Sequence, residues 1–365
     1  MNTTDKNIYK SGERAMFSLR SLYKSYGYLP FKMSKFEEYD LYVRNKDFLV
    51  SDRVITFNDT DGRLLALKPD VTLSIIKNTK GNVYDKHKVY YNETVYRVSG
   101  STGQFKEIMQ MGLECIGDIN ATDVYEVVSL AAESLATVSD DYVLDISHMG
   151  IVTALLSEAG ATNELKKRLT ALVAEKNSHE IPALCKEHGI SEPLTEKLTA
   201  LAGMYGDRKE VLERLSAICT SKEAREALDE LALLDKLLTE QGIGENVRFD
   251  FSVVNNMNYY NGIVFKGFLS GICEGVLAGG EYDNLLRSMK QNRRGIGFAL
   301  YLDLLEELDD GACEFDVDVL LLCDKDTDPS KIVSEKKRLI KEGRTVYSAD
   351  TVPEKIRYKT IVKVK

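Results

Sequence analysis

The sequence lacks several features on which whole classes of protein depend. It contains no tryptophan and only four histidines, and no apolar run approaches the roughly 20 residues that a membrane-spanning helix needs. The opening residues, MNTTDKNIYKSGERAMF, carry no apolar segment typical of a secretory signal. We therefore expect a cytoplasmic protein that does not interact with a membrane.

Metal-binding and phosphate-binding motifs are also missing. Six cysteines are spread singly along the chain without a C-x-x-C pair, and the histidines are too few and too dispersed for a metal cluster. The dinucleotide fingerprint, the P-loop and the G-x-S-x-G nucleophile motif are absent. These absences predict free thiols, as in a reducing compartment, and no metal or other cofactor.

Basic residues are fewer than acidic residues in this sequence. The 57 acidic residues outnumber 48 basic ones, which gives a formal net charge of −9. A protein that mainly binds nucleic acid needs a clustered basic surface, so we expect no nucleic-acid partner. The hydrophobic share of 44% and the charged share of 29% fit a globular protein, and 365 residues predict two or three domains.

The first part of the chain, residues 1–150, mixes helices and strands. An amphipathic helix is predicted over 10–26, and short β-branched and aromatic runs with tight turns follow it. A second helix is predicted over 122–137, with Thr122 or Asp123 as its N-cap. Strands that follow one another through short turns favour antiparallel pairing.

The later part of the chain divides into three further pieces. Residues 151–244 are rich in Leu, Ala, Glu and Lys and predict a helical insertion. Strands return from 247 to about 285, and a helix is predicted over 295–308, so that 1–150 and 245–310 form one α+β core. Residues 311–365 predict a small α/β tail that is too short for an independent core.

One predicted strand, QMGLECIGD, carries polar groups on one face. Alternation along a strand buries every second residue from Met111 to Cys115. The opposite face then carries Gln110, Gly112 and Glu114, and the glycine leaves an open floor between two polar side chains. This face suits a small polar ligand, although an ordinary solvent-facing sheet edge has the same pattern.

Three other stretches carry candidate binding residues, each with a structural alternative. Asp70 and Thr72 in LKPDVT either contact a ligand or cap the next helix. Arg97, at a strand end, either binds a carboxylate or phosphate or makes a surface ion pair. Asn261-Gly262 is either a hairpin turn or the entrance of one strand.

The stretches LKPDVT, VYRVSGSTGQFKEIMQMGLECIG, FSVVNNMNYYNGIVF, AGGEYDNLL and RGIGFALYLDLL occur in the order found in histidyl-tRNA synthetase, a class II synthetase. The chain resembles the catalytic core of that family from about residue 10 to residue 308. The resemblance implies an antiparallel sheet of about six strands flanked by helices, a helical insertion and a core dimer.

The resemblance also implies a histidine pocket. Asp70, where the synthetase has glutamate, and Thr72 would lie near the ammonium group, and Glu114 and Tyr260 would address the imidazole. Carboxylates offset an ammonium, and a carboxylate with a tyrosine can recognise the imidazole nitrogens. The expected histidine-binding residues are Asp70, Thr72, Arg97, Gln110, Glu114, Tyr259, Tyr260 and Tyr282.

The departures from the synthetase pattern affect the nucleotide. The catalytic arginine is replaced by Asn255, and losing a preorganised cation costs several kcal/mol of transition-state stabilisation. The ATP-holding arginine is replaced by Leu304, and a neighbouring glycine by Tyr301. Ser34 stands at the usual proline of the first class motif, which weakens the case for the dimer contact. The resemblance thus implies that histidine recognition survives while ATP recognition and catalysis are lost.

One paralogue group of that family has this character: the regulatory subunits of ATP phosphoribosyltransferase. The resemblance implies a non-catalytic subunit that binds the short catalytic subunit of that enzyme, with histidine as its effector in feedback inhibition of histidine biosynthesis. The alternative is a divergent histidine-activating enzyme. A tRNA-binding module without catalysis and a scaffold with an empty pocket also stay open.

Overall fold

The computed structural model describes residues 10–49, 53–79, 85–98, 102–254, 259–309, 315–324 and 326–364. The chain forms two compact units, one of which is Ser11–Glu307, while Leu308–Lys365 falls in the other. None of the helices in the described ranges is both long enough and apolar enough to span a bilayer.

The strands of the described residues are β1 (Leu29–Pro30), β2 (Phe36–Glu38), β3 (Thr56–Asn58), β4 (Leu64–Leu67), β5 (His87–Val98), β6 (Phe105–Gly117), β7 (Tyr142–His148), β8 (Tyr205–Gly206), β9 (Val247–Asp250), β10 (Ile263–Leu269), β11 (Leu277–Glu281), β12 (Arg294–Tyr301), β13 (Val317–Cys323), β14 (Val346–Ala349) and β15 (Tyr358–Val364).

The α-helices are α1 (Ser11–Ser25), α2 (Tyr39–Arg44), α3 (Thr72–Asn78), α4 (Ala121–Val138), α5 (Met149–Glu158), α6 (Asn163–Ala174), α7 (Ile181–Glu187), α8 (Glu192–Ala202), α9 (Arg208–Ile218), α10 (Lys222–Glu240), α11 (Asp283–Ser288) and α12 (Pro329–Lys341). Two 3₁₀ segments cover Lys46–Phe48 and Leu302–Asp309.

The large unit is built on one sheet in the order β1-β5-β6-β12-β11-β10-β7-β9-β8. The predicted α+β fold class, a mainly antiparallel sheet flanked by helices, is confirmed. The expected six or so strands are nine, and β1–β5 and β7–β9 pair in parallel. The added edge strands β1 and β8 are two residues long, which is too short to show alternation in a sequence.

Two further predictions about elements were wrong. The helix expected over 295–308 is strand β12 followed by a 3₁₀ segment, because a strand buried within a sheet reads as a continuous apolar run that periodicity cannot separate from a helix. Helix α4 is capped by Asn120 rather than Thr122 or Asp123. Asp123 instead accepts from the Asn120 backbone N–H, which completes a capping box.

Six helices, α5 to α10, occupy the stretch predicted as a helical insertion. The longest, α10, buries one apolar stripe through Leu231, Leu234 and Leu238. The buried guanidinium of Arg208 at the start of α9 pairs with Asp235 of α10 and donates to backbone carbonyls just before and within β9. This one side chain therefore connects two helices of the insertion to the sheet.

The second unit contains a three-stranded parallel sheet in the order β14-β13-β15. Helix α12 packs Leu339 against Val319, Leu321 and Cys323. The boundaries predicted between core, insertion and tail stay predictions. Five cysteines are free thiols, and Cys313 lies outside the described residues: Cys115, Cys185, Cys219, Cys273 and Cys323.

Candidate functional site

A cavity of about 180 Å³ lies on one face of the large sheet. Its volume is well below the roughly 300–1,000 Å³ of sites for drug-sized ligands, and it suits a single amino acid. All eight predicted histidine-binding residues line it, together with nine others: Phe48, Leu49, Val71, Tyr91, Ala278, Gly297, Phe298, Ala299 and Tyr301.

The register between β6 and β12 forms the floor of the cavity. Gln110 lies opposite Tyr301, and Glu114 lies opposite Gly297. A Cβ on Gly297 would lie 1.9 Å from Glu114 Oε2. Glycine is therefore required there, because any larger residue would displace the carboxylate.

Glu114 is held inside the cavity by two hydroxyl groups. Thr72 Oγ1 donates to Oε1 at 2.7 Å and the Tyr282 hydroxyl to Oε2 at 2.6 Å. Burial raises the pKa of Glu114 to about 8, although both hydroxyl groups oppose the shift. The negative charge of Asp70 adds to the increase.

Asp70 and Arg97 lie near each other at one side of the cavity. Asp70 Oδ1 accepts the Leu73 backbone N–H at 2.9 Å, so this carboxylate does bond to the first turn of α3. Burial raises the pKa of Asp70, while the Arg97 charge lowers it. Arg97 Nε donates to Pro69 O at 2.8 Å, which fixes the guanidinium beside the cavity.

Gln110 carries a hydrogen-bond donor that finds no acceptor in the described part of the chain. The side chain is 2% exposed, and its Nε2 makes no hydrogen bond. A buried amide N–H without a partner costs about 1–3 kcal/mol. A ligand with an acceptor oxygen in the cavity would remove that cost.

Three tyrosines form an aromatic wall. The rings of Tyr259 and Tyr260 lie 4.6 Å apart, and those of Tyr259 and Tyr282 lie 6.2 Å apart, measured between centroids. Burial raises the pKa of all three hydroxyl groups, so that they stay protonated. The Asn261-Gly262 pair directly precedes β10, so that of its two possible roles it is the entrance of a strand and not a hairpin turn.

One detail of the predicted site was wrong, and some of its residues were missed. Gly112 leaves no open floor, since a Cβ there would lie 2.1 Å from Phe298 O and 2.6 Å from the Tyr91 hydroxyl. Tyr91 and Gly297 escaped the sequence analysis because neither belongs to a polar pattern. The two glycines of RGIGF were the sequence feature that could have pointed to a close approach at Gly297.

The positions at which the chain departs from the synthetase pattern are only partly within the described structure. Tyr301 lines the cavity. Leu304 lies in the 3₁₀ segment after β12 and does not line the cavity. Asn255 lies outside the described residues.

Comparisons with known proteins agree on one family. The family model described as histidyl-tRNA synthetase matches residues 7–305. An ATP phosphoribosyltransferase regulatory subunit from Oceanobacillus iheyensis is 30% identical over 290 residues, covering 79% of this chain and 71% of the relative.

Two solved structures share the fold. The first is an ATP phosphoribosyltransferase regulatory subunit/histidyl-tRNA synthetase from Bacillus halodurans, with a TM-score of 0.76, 23% identity, and coverage of 97% of this chain and 94% of that chain. The second belongs to the ATP phosphoribosyl transferase (HisG:HisZ) complex from Thermotoga maritima, with a TM-score of 0.62, 23% identity, and coverage of 79% and 96%. The chain belongs to the ATP phosphoribosyltransferase regulatory subunits, within the histidyl-tRNA synthetase-like family.

Proposed function

We propose that this chain binds the short catalytic subunit of ATP phosphoribosyltransferase in the cytoplasm, activates it for the first step of histidine biosynthesis, and senses histidine in the sheet cavity. The observation that carries the sensing role is the convergence of eight predicted residues on one amino-acid-sized cavity with an unsatisfied donor. The subunit has no catalysis of its own.

The charges around the cavity suit an amino acid. Asp70 offers a carboxylate to the ammonium group, and Arg97 offers a guanidinium to the carboxylate. Gln110 Nε2 supplies a further donor. Glu114 and the aromatic wall are left for the side chain of the ligand, and imidazole suits them because it is aromatic and carries a ring N–H.

The same residues argue against the alternative of histidine activation. Tyr301 occupies the cavity wall where the synthetase pattern has glycine, and Leu304 cannot hold a triphosphate. Phosphate binding in a reacting complex depends on preorganised cations. The only cation in the described lining of the cavity is Arg97.

The proposed partner is supported by the relatives. The Thermotoga maritima relative is part of a HisG:HisZ complex, and the curated relatives are named as regulatory subunits. We propose a hetero-oligomer with the catalytic subunit in which the core of this chain also self-associates as a dimer. Feedback then requires that histidine bind two states of the assembly unequally.

The test is co-purification with the short catalytic subunit, followed by phosphoribosyl-transfer assays with and without histidine. We expect a complex whose activity exceeds that of the catalytic subunit alone and falls when histidine is added. In a thermal melt of the chain alone, histidine at about 100 times its dissociation constant should stabilise the fold by roughly 2.7 kcal/mol. A flat melting temperature in millimolar histidine contradicts the sensing role, and ATP–pyrophosphate exchange with histidine contradicts the loss of catalysis.

A further inference from the structure

The ionisable side chains around the cavity do not balance. In the described lining, the acids are the two carboxylates of Asp70 and Glu114, and the base is the guanidinium of Arg97. Four tyrosine hydroxyl groups there are neutral, because burial raises the pKa of Tyr91, Tyr259, Tyr260 and Tyr282. Fully ionised, the described lining therefore carries one excess negative charge.

The excess charge belongs to Glu114. Asp70 has the Arg97 charge acting on it, whereas the charged group that acts on Glu114 is another carboxylate, that of Asp70. Glu114 is 2% exposed. A carboxylate buried without a cation is costly, so Glu114 ionises in the cavity only when a cation pairs with it.

The backbone groups of a free amino acid do not supply that cation. Its ammonium and carboxylate cancel each other, as Asp70 and Arg97 do. The remaining positive charge must come from the ligand side chain beside Glu114. Both oxygens of Glu114 accept a hydroxyl group, which holds the carboxylate as an acceptor for a ring N–H.

We infer, building on the proposed function, that the cavity binds histidine with its imidazole ring protonated, as an imidazolium cation paired with the Glu114 carboxylate. The site then takes a ligand of net charge +1 and discriminates against isosteric amino acids with neutral rings.

The surroundings of Glu114 determine whether it holds a proton. The groups that face it are Asp70 and Thr72 at the start of α3, Tyr91 of β5, Tyr259 and Tyr260 before β10, and Tyr282 after β11. Burial raises the pKa of Glu114 to about 8, so the free carboxyl holds a proton at pH 7.5. A free imidazole, with a pKa of about 6.5, is mostly neutral there. On binding, the Glu114 O–H proton passes to the bare ring nitrogen, and no proton is exchanged with solvent. The two pKa values alone oppose this transfer by about 30-fold, and the attraction between the imidazolium and the carboxylate in the buried cavity offsets it. Above pH 8 the complex must take its proton from water, and the affinity should fall by up to about tenfold for each pH unit.

The direct test is nitrogen NMR of ring-labelled histidine bound to the full chain at pH 7.5. We expect both ring nitrogens to show the closely similar shifts of an imidazolium, although free histidine at that pH is mostly neutral. Well-separated shifts, with one protonated and one bare nitrogen, overturn this inference and leave the histidine pocket intact. If no bound histidine is detected, the proposed sensing role fails, and this inference fails with it.

A second measurement compares histidine with 1,2,4-triazole-3-alanine, a close isostere whose ring stays neutral. The backbone groups of the two ligands titrate alike, so the ratio of their affinities isolates the ring. We expect wild type to favour histidine at pH 7.5 by about tenfold, the difference between a charged and a neutral hydrogen bond. Glu114→Gln should bring the ratio close to one. A ratio near one in wild type would refute the inference, and so would an unchanged preference in a folded Glu114→Gln variant.

Discussion

Glu114 couples the stability of the unliganded protein to pH. Its folded pKa of about 8 lies above the ordinary 4.5, so the native state binds more protons than the unfolded state between those values. Stability from this group is therefore present at low pH and is lost as pH rises toward 8. We predict that Glu114→Gln matches wild type near pH 5 and exceeds it at pH 9 by on the order of a few kcal/mol.

Chemical denaturation without histidine at several pH values measures this effect. Glu107, on the same strand but exposed, supplies the matched control, because Glu107→Gln should leave the pH dependence of wild type unchanged. Equal stabilities of wild type and Glu114→Gln across the range would show that the buried carboxyl titrates normally.

Gln110 offers a cleaner way to separate sensing from assembly. Its Nε2 has no hydrogen-bond partner among the described residues, so Gln110→Ala removes a ligand donor that makes no hydrogen bond to them. We predict a variant that still assembles with the catalytic subunit but needs roughly tenfold more histidine for inhibition. Histidine titration of the complex measures it, with the exposed Gln104→Ala as control. Unchanged inhibition of the Gln110→Ala complex would remove this donor from the histidine site.

Among the secondary-structure elements, the helical insertion depends on one buried cation. Arg208 pairs with Asp235 at 2.6 Å and serves three backbone carbonyls and Thr239. Removing it leaves a partly buried carboxylate and several acceptors without partners. We predict that Arg208→Ala lowers the free energy of unfolding by roughly 3–5 kcal/mol, measured by urea denaturation.

The exposed Arg168 on α6 is the matched control, because Arg168→Ala removes the same charge without a buried partner. Arg208 does not line the sheet cavity, so the folded Arg208→Ala protein should bind histidine with wild-type affinity. A loss of less than about 1 kcal/mol, the range of surface pairs, would mean that the insertion is held by its apolar stripe alone.

For the molecule as a whole, the sequence analysis predicted the fold class and eight residues that line one cavity, but it misread specific elements. The polar residues of LKPDVT and QMGLECIG form patterns within a short stretch of sequence. Such patterns can be recognised without knowing how the α+β fold is arranged around them. Strand β12 carries none between its ends, because the six residues from Gly295 to Leu300 are glycine or apolar, so its place beside Glu114 could not be read from the sequence. The short strands β1 and β8 exist only through pairing with longer neighbours.

The order of most helices and strands, the location of the polar residues and the missing cations at 255 and 304 follow from the sequence, since alternation, capping and residue charge are local properties. The meeting of Asp70, Glu114 and Tyr282 within one cavity does not, because it depends on register between strands far apart in the chain. Only that packing buries Glu114 where, among the described residues, another carboxylate and no cation acts on its pKa. The raised pKa, and the demand for a positively charged ligand, therefore come from the tertiary structure.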